Sequence, residues 1–180
     1  MLKTLWRWSW RTFLLLLIAL TAVQFWFLVH VWYWAGNNPE STAFMRARLE
    51  ILRDKNPKAQ LRQQWVPYTR ISGHLKRAII AAEDAKFVSH NGFDWDGIQK
   101  AYEKNLREGE IVAGGSTITQ QLAKNLFFSG ERTWWRKVQE AVVAVMIETV
   151  MSKRRILEIY LNVIEWGDGV FGAEAAARHH

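Results

Sequence analysis

Glu83 and Asp84 close an apolar stretch in which Leu75, Ala78, Ile79 and Ala82 recur at helical spacing. Carboxylates favour the N-terminal end of a helix and cost roughly a few tenths of a kcal/mol at the C-terminal end, where the dipole opposes them. A residue set against its local preference is either a solvated acid at a helix end or one kept for chemistry. Apolar Phe87 and Phe93 nearby would desolvate Glu83, raise its basicity and suit it to general-base work.

Two further groups could bind an anion. Gly114-Gly115-Ser116-Thr117 opens a helical stretch, so its free amide groups and the helix dipole would point at a phosphate, with Lys124 two turns along. The same four residues also fit an ordinary loop before an ordinary cap, and they lack the spacing of a nucleotide-binding loop. Arg132, Arg136 and Lys137 precede Glu140, and positions 136, 137 and 140 share one helix face. That face is either a surface ion pair or a basic cradle for a diphosphate with a carboxylate beside it. His74, His90, His179 and His180 show no metal-ligand spacing, and no serine–histidine–acid pattern stands out. The chain has no cysteine, which removes disulfides and thiolate sites.

These groups need elements to carry them. From Phe13 to Trp34 no residue bears a permanent charge, and Gln24 and His30 are the strongly polar interruptions. At about 1.5 Å per residue the run can cross about 30 Å of hydrocarbon. Lys3, Arg7 and Arg11 precede it, which places the N-terminus in the cytoplasm by the positive-inside rule. A cleavable signal peptide would be shorter and end in small residues, whereas this run ends in Trp32, Tyr33 and Trp34. An uncleaved anchor is therefore expected, with the rest of the chain outside the cytoplasm.

After Gly36 a helix is expected over 40–55, capped by Asn38 with Pro39 at its first position. Further helices are expected over 75–86 with Ser72 as cap, 95–107 with Asp94 as cap, 117–127 with a Thr117/Gln120 capping box, from near 133 to beyond 150, and over 154–164, then 173–180. Residues 64–71 read as extended or irregular, and there is little support for a sheet. Val142, Val143, Val145, Met146, Ile147 and Val150 read as core. The expected domain organisation is a cytoplasmic 1–12, an anchor over 13–34, a linker and jaw start over 35–70, and a catalytic domain over 71–180. Eleven tryptophans suit membrane interfaces and sugar surfaces, and a net charge of +7 suits either an anionic partner or plain solubility.

Residues 83–94, EDAKFVSHNGFD, resemble the first signature of the peptidoglycan glycosyltransferase family. That family comprises the polymerase domains of penicillin-binding proteins and the monofunctional biosynthetic transglycosylases. Residues 114–125, GGSTITQQLAKN, resemble its second signature, and residues 136–140, RKVQE, its third. Residues 153–162, KRRILEIYLN, resemble the fourth, and residues 169–176, GVFGAEAA, the fifth. Five blocks in the family's order cover most of the chain after about residue 70. One anchor and no transpeptidase segment make the chain similar to the monofunctional type. Family members continue past a position equivalent to His180, so the chain is expected to be a fragment at its C-terminus.

The resemblance implies a mainly α, lysozyme-like fold with a membrane-associated jaw and one N-terminal transmembrane helix. It implies that Glu83 is a general base, taking the proton of the acceptor's GlcNAc 4-hydroxyl as that oxygen attacks the donor's anomeric carbon. Undecaprenyl diphosphate leaves, configuration inverts, and lipid II becomes β-1,4-linked glycan. Ser116, Lys124, Arg132 and Arg136 match diphosphate-binding positions. Glu140 matches the second catalytic carboxylate, and Thr117 and Gln121 match positions lining the cleft. Asp84, Phe87, His90 and Lys137 match supporting positions. No cofactor or metal is required by the sequence, although a divalent cation, Mg or Mn, could assist the diphosphate. Expected partners are lipid II, the growing glycan and the inner membrane, with cell-division or elongation proteins as further candidates and no nucleic acid. The alternatives are a lysozyme-like peptidoglycan-cleaving enzyme and a non-catalytic cell-wall scaffold.

Overall fold

The computed structural model describes residues 2–112, 114–130 and 133–179, with side chains described from Trp6 onward. A long first helix, α1 (Leu2–Gly36), contains the uncharged run. It outruns the expected segment at both ends because no helix breaker precedes Gly36. At about 1.5 Å per residue it is roughly 50 Å long. The stretch Trp6–Gly36 is long and apolar enough to cross a membrane. Residues 6–23 are all exposed, whereas Phe27 and Val31 are buried against the rest of the protein.

Helix α2 (Ala43–Lys55) starts later than the sequence suggests. Its cap is Thr42, a buried residue whose Oγ1 accepts from the Met45 N–H at 3.1 Å. Asn38, the expected cap, instead accepts from Arg155 through Oδ1 at 3.0 Å, which keeps the chain non-helical there. A single 3-10 turn, Tyr68–Arg70, leads into α3 (Gly73–Glu83), which follows Ser72 without a side-chain cap bond from it and ends short of Lys86. Helix α4 (Trp95–Glu108) is capped by Asp94, whose Oδ1 accepts from the Gly97 N–H at 3.1 Å, as its sequence indicates.

The centre of the domain is α5 (Ile118–Phe127), packed against α2, against α6 (Trp134–Val150) and against α7 (Lys153–Val163). Ile118 and Leu122 of α5, Val143 and Ile147 of α6, and Ile156 and Ile159 of α7 interlock with no exposed surface. Each such side chain contributes about 1.5–3 kcal/mol by leaving water. The α6 stripe divides, contrary to expectation. Val143 and Ile147 face inward, but Val142 and Val145 join Trp134, Trp135 and Val138 on an exposed apolar face. A run this densely apolar covers more of the helix circumference than one core contact can bury.

A three-stranded sheet, not expected from the residue pattern, forms from β1 (Arg62–Gln63), β2 (Glu165–Gly167) and β3 (Val170–Phe171) in the order β1-β3-β2. β1 runs parallel to β3 with Arg62 opposite Val170, and β2 runs antiparallel to β3. The short helix α8 (Ala173–His179) follows at Gly172, whose φ of 83° suits glycine; a Cβ there would lie 2.7 Å from the Asn162 carbonyl oxygen.

Asn162 joins the two ends of the domain. Its buried side chain accepts from the Val66 N–H at 2.8 Å and donates to the Val66 carbonyl at 2.9 Å and to the Glu158 carbonyl at 2.8 Å. Asn162→Ala leaves two buried backbone groups of Val66 without partners, and should cost about 2–4 kcal/mol. Thermal unfolding of the detergent-solubilised chain should show a midpoint lowered by at least about 5 °C. A midpoint within about 2 °C of the parent would refute this role.

Candidate active site

Why Asp84 leaves helix α3 is answered by a neighbouring element. Its carboxylate, 7% exposed, accepts from the Ile118 N–H at 3.1 Å and from His90 Nε2 at 2.8 Å. The His90 Nδ1 accepts from the Gly92 N–H at 3.2 Å, so the hydrogen-bond network assigns the ring proton to Nε2. The acid that sits badly at the end of α3 is thus well placed at the start of α5, whose dipole it meets. The first turn of α5 thus has the ordinary cap that is the alternative to an anion site. The amides of Thr117, Ile118 and Gln120 are already bonded to Gln120, Asp84 and Thr117 respectively. The capping box between Thr117 and Gln120 is present, and the Thr117 hydroxyl donates to the Gly92 carbonyl at 2.7 Å. Thr117 therefore holds the loop, with its hydroxyl already committed.

With Asp84 fixed, the adjacent Glu83 projects into an open cleft and is exposed. The expected desolvation by two phenylalanines is absent. Phe87 is 1% exposed in the core, and Phe93 stacks on Trp95 at 5.3 Å. Glu83 is oriented by hydrogen bonds: its Oε2 accepts from Gln121 Nε2 at 2.8 Å, and the Gln121 Oε1 accepts from the Tyr160 hydroxyl at 2.9 Å. Burial, then the negative charges of Glu83 and Asp84, raise the Tyr160 phenol above its ordinary value, which keeps it a donor. Tyr160 lies in the fourth block of the sequence but no local signal marks it as part of the site. Only the fold brings it to Gln121.

Across the cleft, Thr133 caps α6 and presents its first two turns. Glu140, 3% exposed, lies between Arg136, with Nε 3.0 Å from Oε1, and Lys137, with Nζ 3.3 Å from Oε2. The Arg136 Nη1 donates to the Gly130 carbonyl at 2.6 Å, and Lys137 Nζ donates to Ser116 Oγ at 2.9 Å. The Arg136 Nε and Glu140 Oε1 have no well-aligned hydrogen-bond partner despite their closeness, so the pair is held by charge. Arg132 lies outside the described residues.

These side chains share one cleft. A recess of about 500 Å³ is lined by Ser116, Gln121, Lys124, Arg136, Lys137 and Glu140. An adjoining recess of about 400 Å³ is lined by Glu83, Gln121, Lys124, Tyr160 and Trp166. A third, of about 220 Å³, runs from Glu83 to Ser116. Gln121 and Lys124 form the wall common to the first two. The cleft thus offers an exposed carboxylate that can take a proton at one side and cations around a buried carboxylate at the other. Asp84, His90 and Thr117 support it from behind, and Phe87 packs in the core. Among the described residues no group of three or more histidine, aspartate or glutamate side chains comes together around a metal-sized point.

A mainly helical domain on one long apolar helix, with this two-sided cleft, matches a known class. The family model described as Transglycosylase matches residues 50–180, and the chain belongs to that family, whose lysozyme-like, mainly α architecture it has. The chain is similar to the biosynthetic peptidoglycan transglycosylase of Methylobacillus flagellatus, 67% identical over 171 residues that cover 95% of this chain and 75% of the relative. It is 66% identical to that of Nitrosospira multiformis over 97% of this chain and 76% of the relative. It is 61% identical to that of an Azoarcus species over 99% and 78%.

Proposed function

We propose that this chain is a peptidoglycan glycosyltransferase that joins lipid-linked disaccharides into β-1,4-linked glycan strands at a membrane. The observation that carries this is the single cleft shared by exposed Glu83 and the Arg136–Glu140–Lys137 cluster, in a chain that belongs to the transglycosylase family. Glu83 takes the proton of the acceptor's 4-hydroxyl, whose oxygen attacks the donor's anomeric carbon. The bond from that carbon to the lipid diphosphate breaks, with inversion. Developing charge on the departing diphosphate falls beside Arg136, Lys137, Lys124 and the Ser116 hydroxyl, where fixed cations stabilise a transition state most effectively. Arg132, at its family-matched position, would add to them. Glu140 keeps Arg136 and Lys137 in place and limits how tightly product is retained.

The donor set gives a resident divalent ion little to bind, because Glu140 already faces two cations. A Mg or Mn ion would instead arrive on the diphosphate. Lys3, Arg7 and Arg11 before the apolar helix favour a single-pass anchor in the inner membrane with the domain in the periplasm. Residues 24–36 of α1 lie along the domain, about 18 Å of helix. That brings the exposed Trp134, Trp135 and Val138 to the depth of the outer leaflet, beside the headgroups that carry the substrate's diphosphate. Division or elongation proteins would then approach the domain from the side away from the bilayer.

The full chain in liposomes, given labelled lipid II and separately finished glycan, should form polymer from the first and leave the second intact. Shortened glycan with no polymer would replace this conclusion with a cleaving enzyme.

A further inference from the structure

The anchor helix is built into the domain rather than tethered to it. Between residues 6 and 35, the positions that escape full exposure are Gln24, Phe27, His30, Val31, Trp34 and Ala35. That spacing places them on one face of α1. Phe27 meets Phe127 and Phe128 edge-on or tilted, with centroids 5.0 and 5.6 Å away. At the upper end, Arg155 Nε and Nη2 each lie 3.0 Å from the Trp34 carbonyl, closing the C-terminus of α1 with a cation. At the lower end, Gln24 Nε2 donates to Gln139 Oε1 at 2.9 Å.

Gln139 precedes Glu140, and successive residues of a helix point about 100° apart. One faces the anchor while the other faces the cleft. Apolar packing such as that of Phe27 tolerates a small roll of α6, but a hydrogen bond between two amides in an apolar layer is directional, and breaking it strands both. The Gln24 Oε1 has no hydrogen-bond partner among the described residues, so the bond from Nε2 to Gln139 is what holds this amide.

We propose that Gln24, inside the membrane helix, is a positioning residue for the transfer reaction. Through Gln139 it fixes the rotation of α6 and therefore the aim of Arg136 and Glu140 into the cleft. This rests on the polymerase function proposed above.

The test uses the full chain in liposomes, with kcat and KM measured for labelled lipid-linked disaccharide. Gln24→Leu should lower kcat about three- to tenfold, the range a hydrogen bond between membrane helices supports, with KM within roughly twofold. Gln139→Leu should do the same, and the double variant should fall no further than either, because both remove one interaction. Val23→Leu, on the exposed face, should match the parent. Gln24→Met, of similar length without the amide, gives the same measurement where the leucine variant fails to insert. An active parent with Gln24→Leu and Gln24→Met both unchanged in kcat overturns the positioning role alone, as do additive losses in the double variant or a loss confined to KM. A parent that makes no polymer overturns the polymerase function, and this role with it.

Discussion

Glu83→Gln should lower kcat for glycan polymerisation by about 10²–10⁴-fold, the usual range for loss of a general base. The substitution keeps size and shape. A glutamine oxygen can still accept from Gln121 Nε2, so the chain from Tyr160 through Gln121 to residue 83 can persist. Because Glu83 is exposed and outside the core, the unfolding midpoint should stay within about 2 °C of the parent. What disappears is the capacity to accept a proton from the sugar hydroxyl. KM for the lipid-linked substrate should therefore change little, which separates a lost base from a lost binding contact. Polymerisation retained within about tenfold of the parent would require another base, and would also restore the non-catalytic scaffold as a serious alternative.

Arg136→Ala should lower kcat by about 10²–10³-fold, the cost of removing one preorganised electrostatic contact. It should also destabilise the chain, because Glu140 is 3% exposed and would lose one of its two ion pairs among the described residues, keeping that with Lys137. The two effects can be separated. Adding Glu140→Gln to Arg136→Ala removes the stranded charge, so thermal stability should recover while activity does not. Arg136→Lys should recover little, since a single ammonium cannot meet the Gly130 carbonyl and the Glu140 carboxylate with the arginine's geometry. Activity returning together with stability in the double variant would make Arg136 a structural residue and remove it from the diphosphate cradle.

Much of this arrangement is legible in the residues. Caps at Asp94 and Thr117 mark the starts of two helices, since a cap and its amide lie within one turn. Long-range partners are not legible in that way. The end of α3 is set by the capture of Asp84 at Ile118, 34 residues on, and the same contact occupies the Ile118 amide at the start of α5. Thr42 displaces Asn38 as the cap of α2 because Asn38 is engaged by Arg155, 117 residues away. Strands of two and three residues are too short for any periodicity to register. Tyr160 joins the site across 39 residues, so nothing beside it in the chain announces its role. Gln24 reads locally as a blemish in an apolar run, and its partner is 115 residues downstream.

The Arg155 clamp on the end of α1 bears on how the protein meets lipids of different thickness. A freely jointed helix meets a thicker or thinner bilayer by tilting, and leaves its cargo at the surface undisturbed. Here tilt or vertical displacement is passed directly to the groove, which must rise, sink or lean with its stalk. The acyl-chain length of the surrounding lipids therefore becomes a setting on enzyme–substrate alignment, with one thickness at which groove and pyrophosphate meet at the same height.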